Sequence, residues 1–271
     1  MRDRGHRAVP TRQTDPLPGR LTIRPRLHNL FGIMACRMFG YCGTQESDVH
    51  SLYAALKNAC ADDPTLSAVA PNCSAHCHGW GYVILADNGL FHYRTARSIY
   101  EDATVLPKLE GRIRAIFHGR YASKPDLAGH IFSHPFVATD DTQTVFFAHN
   151  GGVAVEGLPE RKVDSEWALE QVMARGGLEP ALPLLKEHTR SALNLLVLTI
   201  GREKETSPRL DYFHYFKPKE PAKVAYYTMY EGTMPGGRAL VSSTLTFPAA
   251  KPAKLTNIQP AVFDKLISLE H

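Results

Sequence analysis

No stretch of the chain approaches the eighteen or so consecutive apolar residues that a membrane-spanning helix needs. No glycine-rich loop follows an apolar run, as the phosphate-binding turn of a doubly wound sheet requires. A membrane partner and a nucleotide-binding parallel sheet are both disfavoured. Cysteine is sparse and odd in number: five, at 36, 42, 60, 73 and 77, in 271 residues. A chain this long can bury its own core, so an odd set argues against a disulfide framework and for a reducing, cytoplasmic setting. Acidic residues are scarce at the start, where Arg2, Arg4, Arg7, Arg12, Arg20, Arg24 and Arg26 face only Asp3 and Asp15. Without that segment the formal charge of +4 falls to near neutrality, which removes the electrostatic case for a nucleic-acid partner. The same segment lacks the apolar core of a secretory signal.

What remains is an ordinary globular composition, 44% hydrophobic and 21% charged. Residues 1–35 read as a disordered leader, a propeptide, or the product of a start placed too early, with Met34 as the true start. Residues 36–268 read as one domain, and Leu269-Glu270-His271 as the remnant of a tag. Arg37–Cys42 alternates as a strand, and a helix follows with Ser47-Asp48 as its cap. A hairpin is predicted over Tyr82–Ala86 and Leu90–Tyr93, around Asp87-Asn88-Gly89. Residues 112–121 and 142–150 give two further strands. A helix opens at Asp164 or Ser165 and stops at Gly176-Gly177, and a second spans Leu178–Arg190. Four more strands are expected at Ala192–Ile200, Asp211–Phe216, Val224–Tyr230 and Ala239–Leu245. Many strands and few helices, grouped rather than alternating, favour an α+β fold of two packed antiparallel sheets with helices outside.

Three polar clusters sit at strand or helix ends, where rigid scaffold meets loop. In His118–Ser123 an arginine precedes small hydroxylated residues, a fork of donors suited to a carboxylate, although a surface arginine is the commoner use. In Phe146–Gly152, Asn150-Gly151 makes either a tight turn or two donors that converge on one oxygen. Asp164, in Val163–Glu166, is either an N-cap or a carboxylate for a substrate ammonium.

Taken together and in order, these clusters resemble the class II glutamine amidotransferases. The pattern is a cysteine, Arg with Ala-Ser, His-Pro, His-Asn-Gly, then Asp-Ser-Glu opening a helix. Residues 78–81 and 239–245 look most like the stand-alone branch of that family. The resemblance implies the four-layer αββα sandwich of N-terminal-nucleophile hydrolases, and no cofactor or metal. It implies Cys36 as nucleophile, Asn150 and Gly151 as oxyanion donors, Arg120 and Ser123 as binders of the glutamine α-carboxylate, and Asp164 as partner of its α-ammonium. Tyr121 stands where the family usually has tryptophan. The substrate would be glutamine or a related γ-glutamyl amide, and the ammonia could pass to a separate synthase subunit. A specialised γ-glutamyl amide hydrolase and a catalytically inactive ligand-binding member of the same fold are the alternatives. A homo-oligomer is compatible with every one of these readings.

The chemistry sets a condition. A free α-amine titrates near 8 and a thiol near about 8.5, so the amine of a terminal cysteine can take its own thiol's proton. An amide cannot. Processing between Ala35 and Cys36 is therefore expected. Cys73, His76, Cys77 and His78 lie too close in sequence to wrap one tetrahedral ion, so a zinc site is set aside. Cys42 and Cys60 read as core, His134-Pro135 as a turn at the pocket rim, and the aromatic runs 211–216 and 225–230 as cross-strand packing.

Overall fold

Side chains alternate along a strand, and on the first strand this alternation fixes the layers. In the computed structural model, which describes residues 35–122, 124–203 and 207–270, β1 is Ala35–Gly43. Expectations for residues 1–34, Ser123 and His271 lie outside the described residues. Phe39 and Tyr41 point to one side of β1 and pack against Val49, Leu52, Tyr53 and Leu56 of α1 (Glu46–Ala61). Met38 and Cys42 point to the other side and meet Phe146, Ala148, Leu196 and Leu198 of a second sheet.

The first sheet has seven strands. From edge to edge they are β11 (Thr256–Pro260), β9 (Met229–Met234), β10 (Gly237–Ser242), β1, β4 (Ile113–Tyr121), β2 (Trp80–Ala86) and β3 (Gly89–Thr95). The second runs β12 (Leu266–Ser268), β8 (Arg209–Phe213), β7 (Thr189–Gly201), β6 (Gln143–Val153) and β5 (Phe136–Thr139). All pairings within the two sheets are antiparallel. Helices α2 (Asp164–Ala174) and α3 (Leu178–His188) cover the outer face of the second sheet through Leu169, Val172, Leu182 and Leu185. The order of layers is helix, sheet, sheet, helices, as the αββα reading implies.

The two sheets approach closely at Gly40, where an added Cβ would lie 2.6 Å from Leu196 Cδ2. No helix among the described residues is long and apolar enough to cross a membrane.

Several elements differ from expectation. Helix α1 starts at Glu46, before the predicted cap, because the Asp48 carboxylate is engaged elsewhere: it accepts from Gly236 N at 2.7 Å and from the Tyr41 hydroxyl at 3.1 Å. The segment Val224–Tyr227, expected as strand, belongs to α4 (Pro221–Tyr227), and strand begins only at Met229. Pro221 presets the first helical turn there, and burial of Tyr226 and Tyr227 outweighs their β propensity. Strands β5, β11 and β12 are short or carry polar residues, and lack a period-two signal. Leu269, set aside as part of a tag, is buried between the sheets, and its N–H donates to Leu210 O at 2.7 Å.

Leu196 is fully buried in the layer between the sheets. Leu196→Ala should cost about 2–5 kcal/mol through the cavity it leaves, read as a lower urea midpoint.

Candidate active site

Residues of β1 and β4 that share the inter-sheet face with Met38 and Ile116 include Cys36 and Arg120, which are register partners at the end of the two strands. From the facing sheet, Asn150 follows Phe146 and Ala148 on the same side of β6. It stands opposite Asn194 of β7. The sulfur-bearing residue and the asparagine meet directly, for the backbone N–H of Cys36 donates to Asn150 Oδ1 at 3.1 Å. Asp164, the first residue of α2, is drawn to the end of β6, where its Oδ2 accepts from Val153 N at 2.8 Å. It is not the helix cap: Val163 holds that position, and the Glu166 side chain reaches back to Val163 N.

Asn150 and Gly151 lie inside β6, so the turn reading of that dipeptide does not hold. Gly151 has φ +148°, and a Cβ there would run into the carbonyl of Ala192 on β7. Only glycine lets the two strands approach at that point.

Three buried polar atoms around Cys36 have no hydrogen-bond partner among the described residues: Asn150 Nδ2, Arg120 Nε and Asp164 Oδ1. Each belongs to a side chain otherwise fixed, since Arg120 also donates to Leu127 O at 2.7 Å. Unpaired buried groups are costly, and such a set, two donors and one acceptor, is an arrangement a polar ligand would complete. Burial pushes the Cys36 thiol up to about 11, against partial relief from the Tyr121 backbone N–H and the Arg120 charge. Next to an amide nitrogen, this thiol is protonated at neutral pH.

Tyr121 is placed differently from Arg120. Its hydroxyl lies 2.9 Å from Cys73 Sγ, its ring packs near His78, and the Cys73 contact together with burial raises the phenol to about 12. His78 Nδ1 accepts from Ala122 N at 2.9 Å.

Sequence reasoning missed the cluster behind Cys36. On the helix-side face of β1, Arg37 Nε donates to Asp63 Oδ2 at 2.6 Å, both side chains out of contact with water. Asp63 Oδ2 also lies 2.8 Å from His76 Nε2, while its Oδ1 accepts from Thr65 and from Thr244 at 2.9 Å. The Tyr226 hydroxyl donates to Cys36 O at 3.2 Å. The only sequence signal was an arginine beside the cysteine, and nothing in spacing joins it to Asp63 or Thr244. His134 is buried against His118, at 4.2 Å between rings, rather than at a rim. His149 donates from Nε2 to Ala192 O, so its Nδ1 accepts from the Ser165 hydroxyl. Burial keeps His118, His134 and His149 below the usual histidine range, so all three are neutral. Among the described residues no group of three or more His, Cys, Asp or Glu is placed to hold a metal ion.

No protein-family model matches the sequence, and no curated protein sequence matches it. Solved structures do. One, described as the allosteric regulatory enzyme of purine biosynthesis, superposes with a TM-score of 0.57 at 16% identity over 87% of this chain. This chain covers 47% of that one, about half its length. The likeness shows the fold, a four-layer αββα sandwich of two antiparallel sheets. A predicted glutamine amidotransferase from Pseudomonas aeruginosa PA01 matches at 15% identity over 88% of this chain and 97% of its own, with a TM-score of 0.41.

Burial alone would raise the Asp63 carboxyl, but Arg37 and His76 outweigh it and hold the group far below the usual carboxylate range. A carboxyl lowered on folding lends stability above its unfolded value near 4 and loses it progressively as pH falls below that value. Asp63→Asn should therefore flatten the acid limb of the stability curve below about pH 4. At pH 7 it should cost about 3–5 kcal/mol, because Arg37 is left buried without a counter-charge. Urea midpoints measured across pH check both.

Proposed function

We propose that the chain hydrolyses the side-chain amide of glutamine, or of a related γ-glutamyl compound, through a thioester on Cys36. The observation that carries this reading is the set of unpaired buried atoms around the sulfur. Asn150 Nδ2 is a donor for the oxygen of a tetrahedral intermediate, with the Gly151 N–H as its companion. Arg120 Nε is a donor for an α-carboxylate, with Ser123 next in line beyond β4. Asp164 Oδ1 is an acceptor for an α-ammonium. An amino acid with a side-chain amide supplies the complement of all three, and a substrate lacking either charged head group would leave a site group unpaired.

The reaction follows from these placements. Once Cys36 is the first residue, its α-amine takes the thiol proton, directly or through water, and the sulfur attacks the amide carbon. Asn150 Oδ1, which accepts from the Cys36 nitrogen, keeps that amine in place while Nδ2 of the same side chain faces the oxyanion. Ammonia leaves, and water releases glutamate from the thioester. Tyr121, turned to Cys73, shapes the surroundings of the site rather than the carboxylate pocket. The ammonia goes to solvent or to a synthase partner, and a cytoplasmic setting suits both.

Ammonia release from glutamine, compared with a panel of γ-glutamyl amides, tests the substrate class. Asn150→Ala should lower kcat about 10²–10³-fold, the loss of one oxyanion donor. Asp164→Asn should act mainly on KM for glutamine. A glutamine-analogue affinity label should attach at Cys36. A cut protein with Cys36 first that takes no label and releases no ammonia would favour the inactive, ligand-binding reading.

A further inference from the structure

The layer between the sheets has two ends, and the end away from Cys36 is polar as well. On β4, Arg114 and Arg120 share the inter-sheet face with Ile116, roughly 20 Å apart at the usual rise of a strand. Arg120 is the register partner of Cys36, and Arg114 is that of Cys42. At the Arg114 end a cleft of about 730 Å³ opens between the sheets, with the buried Leu210 and Leu269 in its wall. Three arginines line it, Arg112, Arg114 and Arg209, against one carboxylate, Glu270. Two of the three are already engaged: Arg112 Nε donates to Asp87 at 3.3 Å, and Arg209 donates to Asp211 at 2.7 Å. Arg114 is half-buried, and its guanidinium enters no hydrogen bond or ion pair among the described residues. Its charge acts on Asp87, but Arg112 holds that carboxylate.

We propose that this cleft binds a small organic anion, a carboxylate or phosphate group on an apolar body. The anionic group sits on Arg114, and the body lies against Leu210 and Leu269. A guanidinium partly removed from water offers a planar fork of donors, which matches the paired oxygens of either group. An inorganic anion would leave the leucines uncovered, and an uncharged apolar molecule would leave Arg114 unpaired, so one ligand must carry both features. Small-molecule sites have this size and this make-up, apolar walls with a few placed polar groups. Arg112 and Arg209 add a positive field at the rim, which favours the approach of an anion. The site lies at the far end of β1 from Cys36 and does not depend on the glutaminase reading.

Calorimetric titration of the full chain with phenyl phosphate and with phenylacetate tests this. At least one of them should bind saturably with one site per chain, and the stronger of the two identifies the anionic group. It should bind about 10-fold or more tightly than inorganic phosphate or phenol alone, the contribution of the covered ring. Arg114→Met, which keeps the apolar stem, should weaken binding about 10–100-fold, the loss of a charged hydrogen-bonded pair. Arg112→Gln, at the exposed rim, should weaken it only about 2–5-fold. Excess glutamine should leave the affinity unchanged. Absence of saturable binding by both probes, or binding to Arg114→Met at the wild-type strength, overturns the proposal. Displacement by glutamine places the probe at the Cys36 end and overturns it too. If Arg114→Met fails to fold, Arg114→Lys decides: a point charge in place of the fork should weaken binding about 3–10-fold, and an unchanged affinity rejects the site.

Discussion

Arg37 and Asp63 form an ion pair wholly removed from water, and the position of Cys36 depends on it. Two charges in that setting carry a desolvation cost that only close, fully bonded geometry offsets. The geometry is close: Arg37 donates to Asp63, to Thr65 and to Tyr226 O, with its guanidinium over the Tyr226 ring. Because side chains alternate on a strand, holding Arg37 on the helix-side face puts Cys36 on the inter-sheet face. A slip of one residue would carry the guanidinium into the apolar layer around Met38 and Leu196, and the penalty for that is what pins the register.

The opposite face is built by a different economy. Cys36, Arg120 and Asn150 come from three strands in two sheets, at positions where the apolar alternation of each strand gives way to polar residues near its end. Asn150 takes part twice. Its carbonyl oxygen binds the cysteine nitrogen, so its amide NH2 has one orientation left, and that NH2 is a donor without a partner among the described residues. One bond fixes the orientation, and the other end is held as a donor toward the space beside Cys36.

Much of this was legible in the sequence, for reasons that can be named. The strands around Phe39, Phe117, Phe147 and Leu196 stand out as apolar runs because each is buried on both sides by different layers, and α2 carries its apolar stripe openly. The polar site residues were visible because they end apolar runs. What stayed hidden was long-range and individual. Asp48 reads as a cap and serves a turn far along the chain, and Tyr226 and Tyr227 read as strand and close a helix. Asp63 carries no local pattern at all, and neither the close-set run that holds His76 nor the 239–245 segment that holds Thr244 points to it. Their meaning comes from meeting Arg37, and no spacing rule brings a residue on β1 to a loop after α1 and a short helix after β10. Asn150-Gly151, open to two readings in the sequence, shows the reverse: a dipeptide with a strong turn preference is carried through a strand, because the facing strand at Ala192 comes close enough to need glycine.

The place of β1 in its sheet bears on how the chain is made. Its neighbours are β4 on one side and β10 on the other. The first partner emerges from the ribosome after α1 and the β2–β3 hairpin, and the second only after β5 to β9 and α2 to α4, with Phe39 paired to Val241. Through that whole stretch of synthesis the strand that bears Cys36 has one raw edge of unpaired amide and carbonyl groups. Closure of the sheet over that edge waits for β10, a delay that exposes nascent chains to wrong pairings and to holding factors.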